Sequence, residues 1–342
     1  MKILTFVVPC YNSAAYMDHC ISTLLACGNE EDIEIIIVND GSKDDTAKIA
    51  DSYGKKYPKV VRVIHQENGG HGEGVNQGIR NATGKYFKVV DSDDWIDVKC
   101  GKALIGRIKE LMKGKEEIDL FICNYVYEHS RDNSQVVMDY RGILPENKII
   151  HWAETKRFSI DRYLLMHSLL YRTEVVRKSG LELPKHTFYV DNLFAYVPLP
   201  FVKSIYYMDL DLYRYFIGRD DQSVNEAVMV KRVDQQLRVT NAMLDAYDIS
   251  ELIKTNKRLG VYMRNYLAMM VVVCQMLLLV DGSEEALQKK KELWKHIKQK
   301  DEALYRHFKY ASIALFMNLP GKLGRKLGIG LYRIASRIYK FN

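Results

Sequence analysis

The sequence predicts an α/β fold with a mostly parallel central sheet, followed by a C-terminal helical region, and three observations lead there. Short apolar runs rich in β-branched residues alternate with helix-length amphipathic stretches through the first 125 residues. Most of these runs end in a polar cluster, as expected where ligands bind beyond the carboxyl ends of parallel strands. After residue 224 the pattern becomes almost wholly helical.

Candidate strands lie at 3–9, 33–39, 60–65, 86–90 and 118–125, with helices near 14–26, 44–57, 74–82 and 99–113. Such alternation requires crossover connections, which cover both faces of a sheet with helices. From 132 to 223 the pattern loosens into short elements rich in Tyr and Phe. Two regions follow, 1–223 and 224–342, with no flexible linker between them. The apolar run at 267–280 is shorter than the ~20 residues a membrane span needs and contains Gln275, so it reads as a buried helix.

With 47% hydrophobic and 27% charged residues, the composition is that of an ordinary soluble globular protein. The opening segment reads as a buried strand, not a signal peptide. Six scattered cysteines (Cys10, Cys20, Cys27, Cys100, Cys123, Cys274) form no CxxC, which excludes a disulfide framework or zinc site and points to a cytoplasmic location. The net charge of +7 resides in residues 303–342, which hold eight Lys or Arg and no carboxylate. Nucleic-acid binding by the whole protein is therefore not expected.

On a helical projection, Leu323, Leu327, Leu331, Ile334 and Ile338 fall within about 80° of arc, with Lys322, Arg325, Lys326, Arg333, Arg337 and Lys340 roughly opposite. This is the pattern of an interfacial helix on the anionic inner face of a membrane. Packing of the stripe on the protein, with a solvated basic face, is the alternative.

Three polar clusters carry the chemistry. In Asp91-Ser92-Asp93-Asp94, carboxylates two positions apart on extended backbone at a strand end can converge on Mg²⁺ or Mn²⁺, which bridges nucleotide phosphates. The same residues also suit a solvated turn that caps the next helix. Around Asp40, Gly41 permits a tight turn and Ser42 or Asp44 can cap the following helix; a carboxylate here can instead accept the imino proton of a uracil. Asn68-Gly69-Gly70-His71-Gly72-Glu73-Gly74 lets backbone amides approach an anion before a helix N-terminus. It is neither a Walker A nor a Rossmann fingerprint.

Taken in order, Val7-Val8-Pro9-Cys10-Tyr11-Asn12, Val38-Asn39-Asp40-Gly41-Ser42, Asn68-Gly69-Gly70, Asn76-Gln77-Gly78-Ile79 and Asp91-Ser92-Asp93-Asp94-Trp95 resemble the family 2 inverting glycosyltransferases, whose catalytic domain has the GT-A fold. The resemblance covers the first 100 residues well and extends loosely to about 223. It implies a UDP-sugar donor and a Mg²⁺ or Mn²⁺ ion. Tyr11 is expected against the uracil ring, with Pro9 and Asn12 lining the base and ribose site, and Asp40 on the uracil N3–H. Asn68, Gly69 and Gly70 form the pocket wall. Asp91 faces the ribose and sugar with Ser92 beside it, Asp93 and Asp91 hold the metal, and Asp94 supports the donor sugar or the metal.

The family's general base corresponds to Asp191 in Phe188-Tyr189-Val190-Asp191-Asn192, although the Glu that usually precedes it is Val190. A helix-capping Asp is the alternative. Where relatives carry Arg, this chain has Val75, leaving His71 or Arg219 to supply a cation. Arg219 lies in a segment, 218–223, that resembles the loop closing over donor diphosphate. The implied activity is a single inverting displacement onto a glycan or lipid-linked acceptor in cell-surface polysaccharide synthesis. A nucleotide-sugar-binding protein without turnover is the competing reading. An aspartyl phosphatase or a nucleotidyltransferase is disfavoured: the first strand is followed by Pro9-Cys10-Tyr11-Asn12 instead of an Asp pair, and an early basic phosphate loop is absent.

Overall fold

A computed structural model of the chain describes residues 2–129, 132–159, 162–217 and 226–311, and in the tail only 315, 318, 328 and 330. The closing-loop candidate Arg219 and the basic stripe of the tail lie outside the described residues. The chain divides into two compact units, Met1–Lys156 with Leu164–Arg219, and Arg157–Tyr163 with Asp220–Asn342. The second unit thus takes a short segment from within the first region.

The first unit opens with β1 (Leu4–Cys10), α1 (Met17–Cys27), β2 (Ile33–Asp40), α2 (Thr46–Lys56), β3 (Val61–Gln66), α3 (His71–Asn81) and β4 (Tyr86–Val89). β1 and β2 are buried along their whole length, as strands covered on both faces must be. β3, β2, β1 and β4 pair in parallel in that spatial order, so their carboxyl ends share one rim.

The Tyr- and Phe-rich stretch completes the sheet. After β5 (Trp95–Ile96) and α4 (Val98–Leu111) come β6 (Leu120–His129), β7 (Gln135–Met138), β8 (Ile149–Ile150), β9 (Leu169–Arg172), α5 (Thr173–Lys178), α6 (Asp191–Tyr196) and β10 (Ile205–Ile217). Among the described residues ten strands form one sheet with the path β3-β2-β1-β4-β9-β6-β10-β5. β9 is antiparallel to both β4 and β6, whereas β10 runs parallel to β6 with register shifts between Met208 and Tyr213. The sheet is therefore mixed at this end and mostly parallel elsewhere.

The second unit contains α7 (Glu226–Lys231), α8 (Val233–Ala246), α9 (Ile249–Thr255), α10 (Lys257–Asp281), α11 (Glu284–Lys300) and α12 (Glu302–Tyr310). At 25 residues α10 is longer than its apolar run suggests, and by length and composition alone it could cross a membrane. Its most apolar window is 72% buried against protein, which makes it a core helix. Inside it, Gln275 accepts the half-buried Trp294 indole N–H at 3.1 Å, while its own amide nitrogen is buried without a hydrogen-bond partner.

Candidate functional site

The site forms where four parallel strands stop. The turn after β1 is lashed to its neighbours by side chains. Asn12 adopts a left-handed backbone (φ 51°), which Asn tolerates better than most residues. Its N–H donates to Ser42 Oγ at 3.0 Å, and its Oδ1 accepts the Lys43 N–H at 2.9 Å. The Ser13 and Ser92 hydroxyls meet at 2.7 Å, which ties the first turn to the acidic cluster. Tyr11 is 50% exposed and presents a ring at this rim. Pro9 differs from expectation: it is buried within β1, where its ring packs beneath Gly74 of α3.

Asp40 organises the glycine loop. At 3% exposure, its Oδ1 accepts from Gln66 Nε2 (2.6 Å) and the Gly69 N–H (2.7 Å). Its Oδ2 accepts from Asn68 Nδ2 (3.1 Å) and the Gly70 N–H (2.8 Å). A carboxylate offers about four acceptor positions, and these four donors fill them. The expected uracil contact thus requires a donor such as the Asn68 amide to swing away. Gly70 has φ 84°, and a Cβ there would stand 2.9 Å from the backbone nitrogen of His186, so only glycine fits. His71 to Gly74, expected within the loop, form the first turn of α3.

The acidic cluster is a turn, not extended strand: the Asp94 N–H donates to the Asp91 carbonyl at 3.0 Å. The turn changes which carboxylates meet. Oxygens of Asp91 and Asp94 lie within 4.8 Å of each other and of a ring nitrogen of His167, whereas Asp93 stands outside this group. The alternation behind the expected Asp91–Asp93 pair ends at Val89, the last residue of β4. Two carboxylates and a neutral imidazole make a donor set that fits a divalent cation.

Asp94 is 1% exposed. It accepts from the Tyr213 hydroxyl at 2.6 Å and the Phe216 N–H at 2.8 Å, anchoring β10. Burial, with Asp93 and Asp91 nearby, pushes its carboxyl well above the usual range.

Asp91 accepts from His71 Nε2 at 2.7 Å. Burial opposes both charges, but the pair prevails: Asp91 is held below the usual carboxylate range and His71 above the usual imidazole range. Asp191, the first residue of α6, lies close enough to add to the rise at His71. Burial pushes Asp191 itself up to about 6, with His71 pulling down and Asp91 adding to the rise. The segment leading to it is pinned by Asn76, which donates to the Leu183 carbonyl and accepts the Leu183 N–H, both at 2.9 Å. Asp40 and Asp91 are therefore linked through Gly70 and His71, and Asp191 stands near enough for its charge to act on His71.

Two residues here escaped the sequence reading. Lys88 is fully buried in β4, donating to the carbonyls of His167 (2.7 Å) and Leu169 (3.3 Å), and burial lowers it to about 8. Its signal was visible, a lone charge in the apolar strand Tyr86-Phe87-Lys88-Val89. His167 is 5% exposed, its ring 4.7 Å from that of Tyr213 and 4.5 Å from that of Tyr215. Burial lowers it to about 4, so the imidazole is neutral. Nothing in its sequence context marks it.

The model of glycosyl transferase family 2 matches residues 5–162. The glycosyltransferase GlyG of Streptococcus pneumoniae is 36% identical over 219 residues, a match covering 57% of this chain and 70% of GlyG. This chain belongs to glycosyl transferase family 2. EpsH and EpsJ of Bacillus subtilis are 31% and 33% identical, over 63% and 53% of this chain, and the matches span 60% and 51% of their own length. Among solved structures, S. aureus TarS 1–349 in complex with UDP-GlcNAc has a TM-score of 0.66 at 18% identity, covering 99% of this chain and 92% of TarS. The mannosyltransferase PcManGT of Pyrobaculum calidifontis, in complex with GDP-Man and Mn²⁺, has a TM-score of 0.53 at 13% identity, covering 98% and 86%. At these identities the likeness is one of fold, and the fold is GT-A-like. Asp191 of this family 2 chain lies beyond the stretch that the family model matches.

Proposed function

We propose that this chain transfers a sugar from a UDP-sugar to a glycan or lipid-linked acceptor, by a metal-dependent inverting displacement, in cell-surface polysaccharide synthesis. The observation that carries the reading is the hydrogen-bonded chain from Asp40 through Gly70 and His71 to Asp91 where the parallel strands end, with Asp191 near enough to act on His71. Family membership and the nucleotide-sugar complexes of TarS and PcManGT support it.

Tyr11 offers its exposed ring to the base, and the turn at Asn12 orients it. Asp191 takes the proton from the acceptor hydroxyl as that oxygen attacks the anomeric carbon. Its position near 6 leaves it mostly ionised at neutral pH yet still basic, the compromise a general base needs. His71 holds Asp91 in place beside it. Asp91 and Asp94, with His167, would hold a divalent cation, which would supply charge neutralisation for the departing diphosphate. One displacement inverts the anomeric carbon, so an α-linked donor gives a β-linked product. The six basic residues Lys322, Arg325, Lys326, Arg333, Arg337 and Lys340, opposite an apolar stripe in the sequence, support peripheral attachment to the anionic inner face of a membrane.

A thermal-shift screen of UDP-, GDP- and dTDP-sugars with and without Mn²⁺ tests the reading. Selective stabilisation by UDP-sugars, dependent on metal, is expected. Equal stabilisation by all three nucleotides would remove the pyrimidine site, and metal-independent binding would remove the cation's role.

A further inference from the structure

Arg264, within α10 of the second unit, carries a charge that the described residues do not answer. None of them forms an ion pair or side-chain hydrogen bond with it, and its Nε is buried without a partner. Arg172 also has a buried, unpartnered Nε, but Glu117, Asp119 and Glu174 meet its charge. The other buried atoms of this kind belong to uncharged side chains. A guanidinium stays protonated inside a protein, so partial burial leaves Arg264 in need of an anion.

The second unit brings further cationic groups to it instead of carboxylates. Its 157–163 segment lies along α10, with the Phe158 ring 4.6 Å from that of Tyr262 and the Tyr163 ring 5.1 Å from that of Tyr266. The exposed Arg157 thereby comes close enough for its charge to act on Arg264. From another side, α9 meets α10 at Gly260, where a Cβ would stand 2.6 Å from the Ile253 nitrogen. Arg264 is one turn farther along that face. Ser250 of α9 donates to Asp301 at 2.5 Å, which ties down the start of α12, and the half-buried His307 of α12 feels the Arg264 charge. The nearby acids are engaged: Asp248 and Asp301 cap α9 and α12, and Glu302 pairs with Arg306. No Asp or Glu follows Glu302 in the sequence, so the chain after α12 adds no carboxylate side chain.

We infer that Arg157, Arg264 and His307 form an anion site in the helical unit that takes a phosphate group, free or as the headgroup of a lipid. The planar guanidinium fork matches two phosphate oxygens at once. His307 has a ring N–H to donate in either protonation state. A phosphomonoester carries about −1.5 to −2 at neutral pH, so it answers more than one cation where a carboxylate answers one. All three residues belong to the second unit, and none takes part in donor binding or proton transfer as assigned above. The site therefore stands independently of the sugar-transfer reading.

Isothermal titration of the full chain with inorganic phosphate tests the site, and flotation with phosphatidylcholine vesicles containing phosphatidic acid tests the source. Phosphate binding should weaken about 10- to 100-fold in Arg264→Gln. In Arg157→Gln, which alters an exposed side chain and leaves the core untouched, it should weaken about two- to fivefold. Stabilisation by UDP should be the same in all three proteins. Vesicle binding lost in Arg264→Gln supports a lipid headgroup as the source. Vesicle binding equal in both proteins, with phosphate binding lost from the variant, supports a free phosphate. Phosphate bound equally well by the unmodified protein and both folded variants overturns the inference. An unmodified protein that binds neither phosphate nor the phosphatidic acid vesicles overturns it too, with no variant needed.

Discussion

The Asp40 carboxylate and the Gly70 amide, thirty residues apart in the chain, are joined by a 2.8 Å hydrogen bond. Through it the end of β2 fixes the start of α3, and α3 in turn places His71 on Asp91. Replacement Asp40→Asn turns an NH₂ group toward backbone donors that need an acceptor. A loss of about 2 kcal/mol or more is expected, read as a fall in melting temperature of roughly 5 °C. UDP affinity should fall with it. An unchanged melting temperature would show that the four hydrogen bonds do not set the loop.

Two glycines give opposite expectations. A Cβ on Gly78 would lie 2.4 Å from a methyl group of Val7 in β1, too close for any side chain without moving α3 off the sheet. Gly78→Ala should cost about 1–3 kcal/mol. Gly106, inside α4, has nothing within 4 Å of the same position. Gly106→Ala should stabilise by roughly 0.5–1 kcal/mol through helix propensity alone. Chemical denaturation of both variants checks the pair.

Asn76 makes two hydrogen bonds to Leu183 and a third, at 3.2 Å, to Glu73. Asn76→Ala removes them and loosens the approach to Asp191. Stability should drop by about 2 kcal/mol. The rate of transfer should fall more than donor affinity, because the base is displaced while the nucleotide pocket stays.

The Asp191 carboxyl is raised to about 6 in the folded protein. The active form is the ionised one, so transfer should fall as pH drops through about 6. For stability the sign is opposite: a carboxyl raised above its unfolded value favours the folded state most when protonated. Its ionisation costs stability as pH climbs from the unfolded value through 6. A pH–rate profile flat between 5 and 8 would exclude Asp191 as the base.

The first half of the fold was legible because its strands are apolar runs ended by polar clusters, a pattern produced by burial on both faces. The remainder was not. β10 alternates Tyr with polar residues across register shifts, and β9 runs antiparallel between parallel neighbours, which no local pattern signals. In the site, Asp40, Asp91 and Asp191 stood out because carboxylates at strand ends and helix starts are conspicuous. Spacing misled at Asp93, since a turn replaces the strand there and brings Asp94 toward Asp91 instead. His167 was invisible because its proximity to Asp91 is created entirely by the sheet.

The most direct measurement follows UDP release from the UDP-sugar that best stabilises the protein, in the unmodified chain and in Asp191→Asn, alongside UDP affinity for each. Affinity should agree within about twofold, while the rate falls by ~10²–10⁴. Equal, measurable rates from two proteins that bind UDP equally well would contradict the assignment of Asp191 as the base, and no UDP release from either would favour a binding protein over an enzyme.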